Sequence, residues 1–344
     1  MSSKVTHVLL PLLIFPTLAA LAYHYIVGHT DASGWGDKLK IQCLEDPANP
    51  YAGSYTGIAH VDTVLCILVS VFHASFTPVS LPFTMWFLTS APPITAYLYL
   101  EAYRKNTPFP ISFPIIPGVL MQTVTFGATF PTYWLLSILT GVTSRRASGG
   151  NSQVNRAHAE AVAFGVFIGM FIPTISMLIL HDPTVTAIWQ FFPFYASIAM
   201  AAHLFVRPAH KSQDSGFTII VFLYIASFII SSSMHLAVVS SRFHDFELLK
   251  SFFVPSTSQL DLSLADDYHA LHLLQWDAIF GFSATILGTL WFARSTPQFF
   301  GLLLWHIVAV PVFGPGAAIA GVALWRENYL HSDNSTPKSA SLKK

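Results

Sequence analysis

Residues 217–239 read FTIIVFLYIASFIISSSMHLAVV, a run without Asp, Glu, Lys or Arg. A helix needs about 20 apolar residues to cross the hydrocarbon core of a bilayer, so this run is long enough to form one span. Eight further apolar stretches are bounded by charges, Pro, Gly or Ser, which is the pattern of a polytopic membrane protein. The nine stretches cover about residues 5–27, 57–76, 81–102, 117–139, 159–180, 184–206, 217–239, 269–292 and 299–325.

The composition of the whole chain agrees with this interpretation. Of its 344 residues, 53% are hydrophobic and 10% are charged, whereas soluble domains carry about 25% charged residues. This composition excludes a soluble enzyme, a disordered chain and a coiled coil. Lys plus Arg number 17, as do Asp plus Glu, so there is no basic field to attract nucleic acid. The sequence predicts an all-α polytopic transmembrane bundle of about eight or nine spans, forming a single domain over residues 1–330, with a polar tail at 331–344.

Two of the apolar stretches are interrupted by residues that break helices. The fourth contains Pro131, and the ninth contains Pro311 and the run Gly314-Pro315-Gly316. Each predicts either a kinked helix or a pair of half-helices. Such a break is allowed at membrane depth only where protein or a cavity satisfies the backbone. Residues 240–267 mix aromatic and charged side chains and predict an interfacial helix.

The cysteine content excludes a secreted disulfide scaffold. The chain has two cysteines, Cys43 and Cys66, which cannot build a framework of disulfides. Cys66 lies in an apolar run, where we interpret it as a small buried hydrophobe.

Ionisable side chains inside apolar stretches are costly, so they mark places where function is expected. Asp62, Cys66, Ser70 and His73 follow spacings of four, four and three residues, which places them on one stripe of a helix. The stripe either faces the bundle interior or a wet cavity, or Asp62 is an acid near the interface accompanied by tolerated small polar groups.

The end of the third stretch offers a second acid. Tyr97, Glu101 and Arg104 fall on one helical face. Glu101 and Arg104 either form a surface ion pair at the membrane edge, worth a few tenths of a kcal/mol, or Arg104 keeps Glu101 ionised or positions an oxygen of the ligand.

The eighth stretch is the richest in polar groups. His269, His272, Trp276 and Asp277 fit within an arc of about 140° at about 100° per residue. Asp277 lies far from both ends of the stretch and is the acid hardest to explain as a solvated group, whereas both histidines are closer to the loop. In the seventh stretch, His235 either packs between helices or faces a substrate.

No motif for a metal, nucleotide or redox cofactor is complete. Asp266-Asp267-Tyr268-His269-Ala270 opens like an aspartate-rich diphosphate motif, but Ala270 replaces the closing acid. His269 and His272 form one HxxH box, and a P-loop, a dinucleotide fingerprint and HExxH are absent from the sequence. We therefore expect no cofactor, and any chemistry to come from carboxylic acids, histidines, hydroxyls and aromatic walls.

Three motifs carry a resemblance to a known family. They are Leu100-Glu101-Ala102-Tyr103-Arg104, Gln275-Trp276-Asp277, and the stretch from Pro315-Gly316-Ala317-Ala318 to Trp325-Arg326-Glu327. With the length and span pattern, they make nearly the whole chain similar to the fungal integral-membrane terpene cyclases of meroterpenoid pathways, the macrophorin and ascochlorin/ascofuranone type. The resemblance implies a farnesyl-type chain on an aromatic or polyketide-derived head group. It also implies cyclisation started by protonating a terminal alkene or epoxide, and a site in the membrane of the endoplasmic reticulum.

The residues themselves suggest how the acid chemistry is divided. Protonating an alkene or epoxide needs an acid that keeps its proton near neutral pH, and burial favours a protonated carboxyl. We expect Asp277 to be this acid. A second acid, Asp62 or Glu101, would share a hydrogen bond with the first or take the final proton.

Aromatic and basic side chains are the expected substrate-binding groups. Trp276, Tyr97, Tyr99 and the many Phe residues either line the pocket and stabilise positive charge by cation–π contact, or face lipid and pack the bundle. Arg104, His272 and His235 would contact the substrate.

Two rival functions use the same polar stripes. A transporter or lipid-binding membrane protein without chemistry also needs broken spans and polar positions inside the bilayer, although we find no inverted repeat. A receptor-like bundle fits nine stretches poorly. Formation of a cyclic product from a prenylated phenol distinguishes an enzyme from both.

Overall fold

The computed structural model describes residues 5–46, 48–146, 152–212 and 214–332. Of the predicted polar tail, residues 331 and 332 end the last helix, and residues 333–344 lie outside the described residues.

The described residues fold into helices joined by short connections. In chain order the helices are α1 Val5–Ala32, α2 Trp35–Glu45, α3 Ala59–Ala74, α4 Leu81–Thr89, α5 Pro92–Ala102, α6 Ile115–Thr123, α7 Phe126–Leu139, α8 Arg156–Leu180, α9 Pro183–Trp189, α10 Phe192–Val206, α11 Phe217–Ser240, α12 Phe246–Phe253, α13 Asp266–Leu290, α14 Thr296–Phe313 and α15 Pro315–Ser332. The predicted all-α polytopic bundle is thus confirmed.

Five helices of the described part are long and apolar enough to cross a membrane: α1, α8, α11, α13 and α14. A sixth span forms if α9 and α10, which meet at an angle of 60°, are counted together. Helices α3 and α7 are apolar but shorter. The count of eight or nine spans therefore stays a prediction.

Several of the apolar stretches are divided into two helices, and only some of these breaks were predicted. The third stretch divides before Pro92-Pro93, because proline has no N–H to donate to a preceding turn. The ninth divides at Gly314, as expected. The fourth divides at residues 124–125, whereas Pro131 lies inside α7. The interruption expected at Pro131 is therefore in the wrong place.

Helix α13 lies at the centre of the bundle, and 72% of its most apolar window is buried. It packs along α7, where the Phe126 and Phe282 rings lie 5.3 Å apart and the Trp134 indole donates to the Thr285 hydroxyl at 3.3 Å. Helix α1 covers the other side of α7, and α11 packs along α15. The polar side chains His269, His272, Gln275 and Asp277 of α13 are thereby buried, whereas Asp266 and Tyr268 at its start are partly exposed.

The helix predicted in residues 240–267 is present as α12, and its interfacial position stays a prediction. The Asp245 carboxylate accepts the Leu248 amide at 3.0 Å and so caps its first turn. Phe252 is buried against Phe83, whereas Phe246 is 72% exposed. Helix α12 therefore has one face on the bundle and one directed outward.

The two cysteines are joined, contrary to the interpretation of Cys66 as a free buried hydrophobe. A disulfide links Cys43 on α2 to Cys66 on α3. Cys66 lies in an apolar run and Cys43 in a polar one, so their separate contexts did not indicate a pair.

Candidate active site

The interior of the bundle contains a cavity of about 300 Å³, at the lower end of the range for small-molecule sites. Its walls come from α1, α2, α3 and α13, from the α6–α7 junction and from the ends of several other helices, and most lining side chains are apolar. Asp31 and Lys40 line it and are exposed, so the cavity reaches the protein surface beside α2. The site is an apolar chamber whose rim carries charged side chains.

Asp277 supplies the one buried carboxyl among the described residues that line this cavity. Only 6% of it is exposed, and it makes no ion pair with any residue the structure describes. Its Oδ1 atom accepts the Gly127 amide at 2.5 Å, and the Thr125 hydroxyl and Phe126 amide also interact with the carboxyl. The group is therefore surrounded by neutral donors rather than neutralised by a cation.

These donors come from the break between α6 and α7. Helix α6 ends at Thr123 and α7 begins at Phe126, so the first amides of α7 have no partner inside their own helix. Thr125 has a φ of 146°, which is rare for a residue with a side chain, and its hydroxyl accepts the Ala128 amide at 3.2 Å. A helix N-terminus of this kind stabilises a negative charge. The break thus places an anion-stabilising group beside the buried acid.

Gly127 leaves the room that Asp277 needs. A Cβ atom at this position would lie 2.9 Å from the Asp277 carbonyl oxygen and 3.1 Å from its Oδ1 atom. We expect Gly127→Ala to displace the carboxyl and to lower any rate that depends on its position by about 10–100-fold, because misplacing a reacting group by about 1 Å costs this much. Gly301→Ala on α14 is the matched control, since no atom lies within 4 Å of its Cβ position. Equal rates for both variants would show that the contact does not matter.

The other two candidates on α13, Trp276 and His272, lie outside the cavity lining. Trp276 is held by two contacts. It stacks on Tyr25 with ring centroids 4.2 Å apart, and its indole N–H donates to the Ser256 carbonyl at 3.2 Å. His272 Nε2 lies 3.0 Å from the same carbonyl, and its ring stacks on His29 at 5.5 Å. Both side chains join α13 to α1 and to the loop that precedes α13.

His235 also lies between helices. The Trp86 indole donates to His235 Nδ1 at 3.1 Å, so Nε2 carries the proton and donates to the Pro311 carbonyl at 3.1 Å. This arrangement joins α4, α11 and α14 and supports the helix-packing alternative.

Glu101, Arg104 and Tyr97 lie in a buried ionic cluster at the end of α5. The Glu101 carboxylate accepts the Arg104 Nε–H at 2.6 Å and is also bound by Arg326 of α15. Arg104 binds Glu327 in turn, and Arg326 lies over the Tyr97 ring at 5.5 Å. The structure brings these residues together, but none of them lines the cavity.

Asp62 lies in the first turn of α3, where it accepts the Thr56 amide and hydroxyl, both at 2.7 Å, and the Gly57 amide at 3.1 Å. These bonds fold the preceding loop at the surface. Of the eight candidate site residues, Asp277 is the one that lines the cavity.

Sequence reasoning missed the groups that surround Asp277. Thr123, Thr125 and Gly127 interrupt an apolar stretch, and they were the one local indication of a helix break at this point. The break was predicted at Pro131 instead, because proline lacks the N–H that a helix interior requires.

Comparisons with known proteins identify the family of the chain. The model of the CtvD domain family matches residues 6–331. The chain is also similar to the protein named Terpene cyclase ascI from Acremonium egyptiacum, with 28% identity over 255 residues. The alignment covers 68% of this chain and 66% of that relative, so the chain spans a little less than two thirds of the relative's length. No solved structure gives a significant match. The resemblance to terpene cyclases drawn from the sequence is confirmed.

Proposed function

Because the chain belongs to the CtvD domain family, we propose that it is a membrane-embedded terpene cyclase in which Asp277 donates the proton that starts cyclisation. The similarity to a protein named as a terpene cyclase supports the reaction class. The assignment of the acid rests on one observation: among the described residues that line the apolar cavity, Asp277 carries the one buried carboxyl, and it makes no ion pair with them.

The proposed reaction begins with proton transfer to the far end of a prenyl chain. With an alkene, the π electrons form a new C–H bond and leave a tertiary carbocation. With an epoxide, the oxygen takes the proton and the C–O bond breaks. The π electrons of the next alkene then form a C–C bond, and loss of a proton from a neighbouring carbon ends the sequence. The product is an isomer of the substrate.

The surroundings of Asp277 suit both halves of its task. Before transfer, the apolar cavity disfavours the charged carboxylate. After transfer, the Gly127 amide at 2.5 Å and the N-terminus of α7 receive the negative charge without having to reorganise. The same donors are in place throughout the reaction, so the protein needs no mobile counter-ion.

The cavity walls also suit a carbocation. Phe87, Phe126 and Phe282 line the chamber, and the Phe282 ring lies within 6.0 Å of both partners. An aromatic face stabilises a desolvated cation by about 2 kcal/mol. In this proposal these three Phe rings stabilise the cation, a role that the sequence analysis gave to Phe residues together with Trp276, Tyr97 and Tyr99.

The shape of the cavity indicates how a substrate is held. The buried acid lies in the interior, whereas Thr30, Asp31 and Lys40 form a polar rim near the surface. A farnesyl chain would extend inward to Asp277, and an aromatic or polyketide-derived head group would remain at the rim. An amphipathic substrate of this kind dissolves in the bilayer. We propose that the protein lies in the membrane of the endoplasmic reticulum.

The test is a direct assay of the purified protein in detergent. A farnesylated phenol and its terminal epoxide are supplied separately, and products are analysed by liquid chromatography with mass spectrometry. We expect a new product of unchanged mass with one or more rings from at least one substrate. Movement of substrate across reconstituted vesicles without any such product would instead identify a carrier. Vesicles lacking the protein control for spontaneous cyclisation.

A further inference from the structure

The cavity has one wall that is only loosely built into the bundle, helix α2. It follows α1 through a turn at Gly34, whose φ of +76° places the backbone in the left-handed region. Trp35, Gly36, Leu39 and Lys40 of α2 all line the cavity. Without α2 the chamber would be open along this side.

Few apolar side chains hold this wall in place. In α2, only Trp35 and Leu39 are buried, whereas Ile41 and Leu44 are 55% and 66% exposed. Two polar contacts assist, because Asp266 Oδ1 accepts the Trp35 indole N–H at 2.9 Å and the Lys38 ammonium at 2.7 Å. These contacts all lie in the first half of the helix.

The second half of α2 is fixed by the disulfide. Cys43 is bonded to Cys66, and the next residues of α3, Ile67 and Leu68, line the cavity. Neither cysteine lines the cavity itself, but the bond joins two neighbouring helices, α2 and α3, that both contribute to its walls. A covalent link between segments 23 residues apart also restricts how far they separate when contacts loosen.

We propose that α2 is a wall of the substrate cavity locked by the Cys43–Cys66 disulfide, and that the cavity rim therefore faces the oxidising side of the membrane. Forming the bond removes two electrons and two protons from the thiols, which a disulfide oxidant of a secretory compartment accepts by exchange. A cytosolic position would expose the bond to glutathione and leave the thiols reduced. This inference gives the proposed cyclase site a fixed orientation, with Asp31 and Lys40 toward the lumen.

Thiol labelling tests the lock without requiring turnover. The sequence contains two cysteines, so a maleimide-linked polyethylene glycol reports their state as a gel shift. We expect no adduct on unreduced, denatured protein and two after reduction. Free thiols in the unreduced protein would overturn the proposal.

Orientation is measured in sealed microsomes with Cys66→Ser, which leaves Cys43 as the single thiol. A membrane-impermeant maleimide should label Cys43 only after detergent opens the vesicles. Labelling in intact vesicles would place α2 in the cytosol and would contradict the proposed orientation.

The role as a cavity wall is tested by reducing the folded wild-type protein. Amide hydrogen exchange should accelerate in residues 35–45 and stay unchanged in α15, whether or not the protein turns over.

When turnover is measured on the reduced protein, KM should rise by about tenfold and water-quenched products should increase, because a displaced wall positions the substrate less well and admits solvent. The variant Cys43→Ser/Cys66→Ser should behave like the reduced protein and ignore the reductant. Unchanged exchange in α2 would overturn the wall assignment, whereas a lack of any cyclic product would count against the proposed function alone.

Discussion

Replacing Asp277 by Asn should abolish the formation of cyclised product while the protein remains folded in the membrane. Asn is nearly isosteric, and its Oδ1 can still accept the Gly127 amide that Asp277 accepts at 2.5 Å. What it lacks is a transferable proton. A positioned general acid contributes about 10²–10⁴-fold to the rate. We therefore expect turnover to fall by at least about 10²-fold, which leaves little or no detectable product. The measurement is product formed per mole of protein that elutes as a single species from gel filtration.

Asp62→Asn is the matched control for this variant. It also converts one aspartate of an apolar helix into its amide, but Asp62 lies at the surface. Asn keeps the oxygen that accepts the Thr56 amide and hydroxyl, and water can replace the acceptor that the Gly57 amide loses. We expect it to keep most of the wild-type rate. Full activity of Asp277→Asn would remove Asp277 from the mechanism, and loss of activity in Asp62→Asn alone would contradict the placement of the reaction at Asp277.

The fold class followed from the sequence because its cause is local. Apolar runs long enough to span a bilayer fix helices wherever they occur, and residues 217–239 needed no tertiary information. Helix breaks were harder to place. Pro131 remains inside α7, whereas the chain breaks at Thr125, where a cap hydroxyl and the Asp277 carboxyl together satisfy the free amides. The Thr125 hydroxyl is local, but the Asp277 carboxyl comes from a distant part of the chain, so the local sequence specifies the break only in part.

The candidate site, like the fold, could be predicted from the sequence only in part. Asp277 was recognisable because an acid far from both ends of a span has few explanations besides function. Helical spacing placed Glu101 and Arg104 on one face correctly, but it gave no sign that Arg326 and Glu327 arrive from α15 to enclose them. The disulfide was hidden for the same reason, because Cys43 and Cys66 become neighbours only when α2 folds against α3.

Replacing Glu101 by Gln should destabilise the folded protein by about 3–5 kcal/mol, the usual consequence of removing one partner from a buried ionic cluster. Glu101 is fully buried, and its two oxygens face the guanidinium groups of Arg104, Arg326 and Arg145. Without the carboxylate, three cations would share the single charge of Glu327. The free energy of unfolding in detergent, followed by loss of helical circular dichroism, measures the effect.

Glu160→Gln is the control, because Glu160 pairs with Arg156 and Arg207, whose side chains are 50% and 45% exposed. Partly exposed pairs contribute less than about 1 kcal/mol, so this variant should unfold nearly like the wild type. The decisive comparison is the rate per folded molecule. Glu101 lies outside the cavity lining, so folded Glu101→Gln should cyclise its substrate at a rate close to that of the wild type. A stable variant without turnover would show the reverse, that Glu101 takes part in the chemistry and that the cavity reaches further than its described walls.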